Sequence, residues 1–144
     1  MNILQIGILV FVLIETLNVL TLYFNPNFKY GNGIGVFNDY QELKDSKHSE
    51  FIHYLINWVA GAKLIFIMIG IVVVIVGNEQ TQLFTCIALI MSILSFYYKL
   101  FPAIKRLDKK GGIDPKGYSK TLNYMILSFI IGFLVIVLIS IISW

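Results

Sequence analysis

Charged side chains are scarce in this sequence, and their scarcity excludes a soluble domain. Only 13% of the 144 residues are charged, whereas 58% are hydrophobic, and the mean hydropathy is +0.81. So few polar side chains cannot cover the surface of a water-soluble fold of this size. The composition therefore predicts an integral membrane protein.

Residue types that carry common membrane chemistry are also rare. The single cysteine, Cys86, excludes an intramolecular disulfide and a CxxC redox or zinc site. Both histidines, His48 and His53, fall within one stretch of sequence, so one chain cannot offer haem two axial ligands from facing helices. The sequence has no HExxH motif, paired intramembrane aspartates or Ser/His constellation, and only one arginine. We therefore expect no catalytic residues, metal or cofactor, and a chain that is not an enzyme.

Long apolar stretches are the main feature that is present. Four of them run over about 3–24, 51–77, 83–101 and 121–144. Each is long enough for a helix to cross a hydrocarbon core of about 30 Å. None alternates as a barrel strand would, and the first lacks the basic start and cleavage site of a signal peptide. The predicted fold class is an all-α integral membrane protein, a single domain (1–144) that forms a four-transmembrane-helix bundle.

Basic residues indicate how this bundle sits in the membrane. With four spans, every Lys and Arg except Lys63 falls on the side of the two longer loops, and none falls on the side of the termini. The positive-inside rule then places both basic loops in the cytoplasm and both termini outside the cell membrane. The positive charge thus reports orientation, with attraction to anionic lipid as a secondary effect. We expect a lipid bilayer as partner and no nucleic acid.

Glu15 and Lys63 are the two charged residues deep inside the apolar stretches. A charge near the bilayer centre costs about 2.5–3.5 kcal/mol on insertion scales, so we expect each charged side chain to have an interaction partner or a function. Helical side chains lean toward the N-terminus of their own helix. In antiparallel first and second spans, Glu15 and Lys63 would therefore converge at one level.

Other polar residues extend this pair into a predicted polar strip. Asn18 and Asn57 match each other in depth, nearer the cytoplasmic side, and His53 follows about one turn beyond Asn57. The strip Glu15, Asn18, His53, Asn57 and Lys63 is the candidate transport site, with Glu15 as the residue that gains and loses a proton.

Several functions are compatible with that strip. The leading hypothesis is a minimal transporter or channel subunit. The main alternative is a non-catalytic accessory or scaffold subunit of a larger membrane complex, in which Glu15 and Lys63 only fix helix packing. A third is a lipid-binding or quinone-binding membrane protein. Because a bundle this small has little interior, we expect a homo-oligomer or a larger membrane-protein partner.

Three local patterns predict features of the first long loop, the third span and the fourth span. Phe37, Tyr40 and Leu43 repeat at three-residue spacing, which predicts a short interfacial helix in the first long loop. Helical spacing continues beyond Pro102, so the third span should extend past this proline and bend there. Ser128 and Gly132 form a small-xxx-small pair, which favours close packing of the fourth span.

Overall fold

The computed structural model describes residues 1–29 and 33–143 and is entirely helical apart from its turns and loops. The elements are α1 (Ile3–Phe24), a short 3-10 turn (Ile34–Val36), α2 (Asn38–Leu43), α3 (Ser49–Val76), α4 (Glu79–Leu94), α5 (Phe96–Lys109) and α6 (Tyr118–Ile142). Four segments are long and apolar enough to cross a membrane: α1, α3, α4 with α5, and α6. The predicted all-helical structure with four helical segments that could span a membrane is confirmed.

Helix α1 lies at the centre of the bundle, where it contacts α3, α4 and α6. Its buried side chains recur at intervals of three, four or seven residues and form one stripe: Leu4, Ile8, Val12, Val19 and Leu22. The opposite faces of the four spans expose large apolar side chains, as lipid-facing surfaces do.

The interface between α1 and α3 is antiparallel and close. Gln5 Nε2 donates to the carbonyl of Val74 at 3.2 Å near one end. Farther along, Gly70 lies so close to α1 that an added Cβ would stand 2.6 Å from Val12 Cγ2. Small residues at such positions let membrane helices approach closely. Gly70 is thus a glycine that permits close helix packing, and the sequence did not single it out.

The third span continues past Pro102 to Lys109, as predicted, and it is interrupted earlier, at Ser95. The bend at Pro102 stays a prediction. The Ser95 hydroxyl donates to the Ser92 carbonyl at 2.6 Å, and the Ser95 N–H also reaches that carbonyl at 3.2 Å. In a continuous helix, the Ser92 carbonyl would accept a hydrogen bond from the backbone N–H of Phe96. Pro102 lies inside α5.

We call the end of the bundle with residues 25–29, 33–48 and 110–117 the loop end, and the opposite end the terminal end. At the loop end the two long loops bind each other through an antiparallel bridge between Phe37 and Ile113. The Asn38 N–H donates to Gly112 O at 3.0 Å, and the Asp114 N–H donates to Val36 O at 2.9 Å. Val36 and Ile113 are buried beneath this bridge, in a second small core.

The predicted short helix in the first long loop is present as α2, but it packs inward. Tyr40 is buried against the main core. Burial raises the pKa of its phenol, and the negative charge of Asp45 adds to that effect. α2 therefore belongs to the packed loop end.

Candidate functional site

Glu15 and Lys63 occupy the positions that apolar residues fill elsewhere in the α1–α3 interface. Glu15 lies between Val12 and Val19 in the buried stripe of α1. Lys63 lies in the α3 stripe between Ala60 and Ile67. Helical periodicity brings each residue back to the same face after three or four positions. The two charges therefore face the partner helix and not the lipid.

The two side chains form a direct ion pair, and Asn18 joins it. Lys63 Nζ lies 2.7 Å from Glu15 Oε2 and 2.7 Å from Asn18 Oδ1. The ammonium thus donates to a carboxylate and to an amide, two strong acceptors for a buried cation. We call Glu15, Asn18 and Lys63 the charged centre.

The charged centre is not sealed from its surroundings. The side chains of Lys63 and Glu15 are 25% and 24% exposed. Lys63 donates to two acceptors, although an ammonium has three N–H groups. Glu15 Oε1 has no hydrogen-bond partner among residues 1–29 and 33–143. One donor and one acceptor therefore remain available at the centre.

Three crevices adjoin the charged centre, and their walls are mostly apolar. The first, about 300 Å³, contacts Glu15 and Lys63 and has Ser92 as its other polar side chain. The second, about 270 Å³, contacts Glu15, Asn18 and Thr21. The third, about 430 Å³, contacts Asn18 and Lys63 and extends toward the loop end. Each crevice places a charged or amide group against hydrocarbon walls.

Asn57 and His53 lie outside this cluster, so the predicted strip does not continue along α3. Both side chains are exposed on the outer surface of the helix. At about 100° per residue, Asn57 points about 120° away from Lys63. His53 Nδ1 lies 2.9 Å from the Ser49 carbonyl of its own helix. Glu15 and Lys63, which were matched in depth, are in contact, whereas Asn18 contacts Lys63 and not its depth match Asn57. Depth alone does not place a residue on a face.

A second polar cluster lies at the terminal end and was missed from the sequence. Gln82 is only 1% exposed, accepts from Asn2 Nδ2 at 2.8 Å and donates to Gly77 O at 2.7 Å. Asn2 and Gln5 also form a capping box at the start of α1. The cluster holds the N-terminus against the turn between α3 and α4. Its sequence signal was a glutamine directly before the predicted third span.

Other candidate groups are simpler. Cys86 is a buried free thiol. Among the described residues, no group of three His, Cys, Asp or Glu side chains is arranged to hold a metal ion. Gly132 has open space around it: an added Cβ would meet nothing within 4 Å. The predicted close packing at Ser128 and Gly132 is therefore absent at Gly132.

The fold and the charged centre together describe a small multi-pass membrane protein with an ion pair inside its helix bundle. No known protein family matches the sequence, and the searches of curated proteins and of solved structures gave no significant match.

Proposed function

We propose that this chain is a membrane-embedded binding protein for an amphiphilic molecule of the lipid or quinone class. The observation that carries the proposal is the exposure of both charged side chains, about a quarter each, to crevices with apolar walls. A pair that served packing alone needs no unpaired donor and acceptor facing these crevices, because an unpaired polar group against hydrocarbon is costly. Such a site suits a ligand with one polar group and an apolar body.

The charged centre offers complementary contacts for the polar group of such a ligand. The third N–H of Lys63 can donate to a carbonyl, hydroxyl or phosphate oxygen, and Glu15 Oε1 can accept from a hydroxyl. The apolar body would lie along Phe66 and Ile93 in the first crevice. The ligand would enter from the bilayer, since Phe66 is exposed on the outer surface.

The direct contact between Lys63 and Glu15 favours a second candidate, the accessory or scaffold subunit. An N–O distance of 2.7 Å leaves no space for a water molecule between the two groups. In this function the pair fixes the packing of α1 on α3, and the chain stabilises a larger membrane protein. Co-purification of such a partner, with no bound small molecule, is its expected outcome.

Transport with Glu15 as a proton-coupled site stays a prediction. A conducting path needs polar lining, and the three crevices offer few polar side chains beyond the charged centre. Its test is proton or cation flux through the purified chain in liposomes, with native Glu15 and with Glu15→Gln. The orientation that we propose, with the loop end in the cytoplasm and both termini outside the cell membrane, rests on the basic loops.

Native mass spectrometry of the chain, extracted in a mild detergent, tests the binding proposal. Ser92→Phe would fill the first crevice beside Lys63. Ala88→Phe is the matched control, because Ala88 is one turn away on α4, is exposed, and lines none of the three crevices. We expect a bound amphiphile in the native chain and in Ala88→Phe, and its loss in Ser92→Phe.

Two outcomes would reject the binding proposal. The first is a folded native chain that carries no small molecule under conditions that retain annular lipid. The second is equal retention of the molecule by Ser92→Phe and Ala88→Phe, which would place it elsewhere on the surface.

A further inference from the structure

We infer that a further crevice, between α5 and α6 at the loop end, binds the headgroup of an anionic phospholipid. This lysine crevice has a volume of about 900 Å³ and is separate from the charged centre. Its basic residues come from the last turns of α5, the following loop and the first turn of α6: Lys105, Lys109, Lys110, Lys116 and Lys120.

The positive charge of this crevice is not neutralised by neighbouring residues. All five lysines are exposed, and none of them forms an ion pair within residues 1–29 and 33–143. Asp108 is the only acidic residue in the lining. Five lysines against one aspartate leave a formal excess of four positive charges.

Asp108 is also already engaged by the protein. Its carboxylate accepts from the N–H of Gly117 at 2.9 Å, from the N–H of Ser119 at 3.0 Å, and from the Ser119 hydroxyl. These bonds satisfy donors at the start of α6, where a carboxylate is favoured. Asp108 is therefore engaged mainly by the start of α6, and the ammonium groups of the five exposed lysines stay available to an external anion.

The residues next to the lysines favour a lipid over a soluble anion. Phe101 and Tyr124 line the same crevice, and the Tyr124 side chain is 71% exposed. Aromatic rings with a polar tip are enriched at the boundary between headgroups and hydrocarbon.

Along one face of α6, the exposed residues change from basic to aromatic to aliphatic. Lys120, Tyr124 and Ile131 recur at intervals of four and seven residues, so they share a face. Ile131 is exposed and lies deeper in the apolar part of the helix. A phosphate held by the lysines would leave its acyl chains alongside Tyr124 and Ile131. Lysine ammonium groups bind phosphate as mobile point charges, and basic pockets between transmembrane helices suit anionic headgroups.

The test titrates the purified full-length chain, in a neutral detergent, with phosphatidylglycerol or phosphatidylcholine and counts bound lipids by native mass spectrometry. The test variant combines Lys109→Gln, Lys116→Gln and Lys120→Gln. The control combines Lys44→Gln, Lys47→Gln and Lys99→Gln, which removes the same charge from described residues outside the crevice. Circular dichroism checks that both variants are folded.

We expect phosphatidylglycerol to bind the native chain and the control with similar affinity, and the test variant to lose about tenfold or more in affinity. Phosphatidylcholine should bind all three weakly. Equal losses in the two triple variants would overturn the inference, since net charge alone would then explain binding. Displacement of the lipid by micromolar inorganic phosphate would overturn it too, because the ligand would then be a soluble anion.

Discussion

At the residue scale, the charged centre explains how two formal charges are tolerated in apolar helices. An isolated charge at this depth costs about 2.5–3.5 kcal/mol. The 2.7 Å contacts of Lys63 with Glu15 and Asn18 offset that cost by replacing water with two strong acceptors. The amide of Asn18 matters because a carboxylate alone would satisfy one N–H of the ammonium.

The role of Asn18 can be tested against that of Asn57. We expect Asn18→Leu to lower the free energy of unfolding by about 1–2 kcal/mol, because Lys63 loses a charge-assisted hydrogen bond. Asn57→Leu makes the same chemical change at an exposed site outside the cluster and should shift stability by about 0.5 kcal/mol or less. Equilibrium unfolding in mixed micelles measures both; equal losses would contradict the assignment of Asn18 to the centre.

The sequence was sufficient to group Glu15, Asn18 and Lys63, and insufficient to exclude Asn57 and His53 from that group. Counting residues from the helix ends gives depth, because the rise per residue is fixed. The face on which a residue lies depends on which stripe the neighbouring helices bury. In α3 that stripe contains Ile56, Ala60 and Ile67, so Asn57 and His53 fall outside it.

At the element scale, the four spans were predictable and their detailed contacts were not. Long apolar stretches of sequence indicate membrane-spanning segments directly. The bridge between Phe37 and Ile113 joins two loops that are far apart in sequence, and no local pattern encodes such pairing. The interruption at Ser95 depends on a hydroxyl competing for a backbone carbonyl, which is decided by packing around it.

Close approach of α1 and α3 at Gly70 leads to a second prediction. Gly70→Ala should lower the free energy of unfolding by about 1–3 kcal/mol. The new Cβ would stand 2.6 Å from Val12 Cγ2, and a β-branched side chain in a helix has little freedom to move away.

Gly132 provides the matched control for that substitution. Gly132→Ala adds the same methyl group where nothing lies within 4 Å. It should be neutral or stabilising by up to about 1 kcal/mol, because alanine is the better helix former. Thermal unfolding of the two variants in the same detergent gives the comparison. Similar stabilities for both would show that α1 and α3 are not in close contact at this level.

At the scale of the whole molecule, the basic loop end gives an orientation that can be measured. In a chain with Cys86→Ala, single cysteines would replace Lys47 at the loop end and Asn78 at the terminal end. We expect a membrane-impermeant maleimide, added to intact cells, to label the cysteine at 78 and to spare the one at 47, because basic loops are retained in the cytoplasm. If only the cysteine at position 47 is labelled, the loop end lies outside the cell and the predicted orientation is wrong.

The most direct test is a double-mutant cycle on the ion pair, with Glu15→Gln, Lys63→Met and the two combined. Each single change leaves a charge without its partner, so each should lower the free energy of unfolding by about 3 kcal/mol. Removing both charges should cost less than the sum of the two losses, by about 1 kcal/mol or more. Losses that add within about 0.5 kcal/mol would mean that Glu15 and Lys63 do not interact inside the bundle.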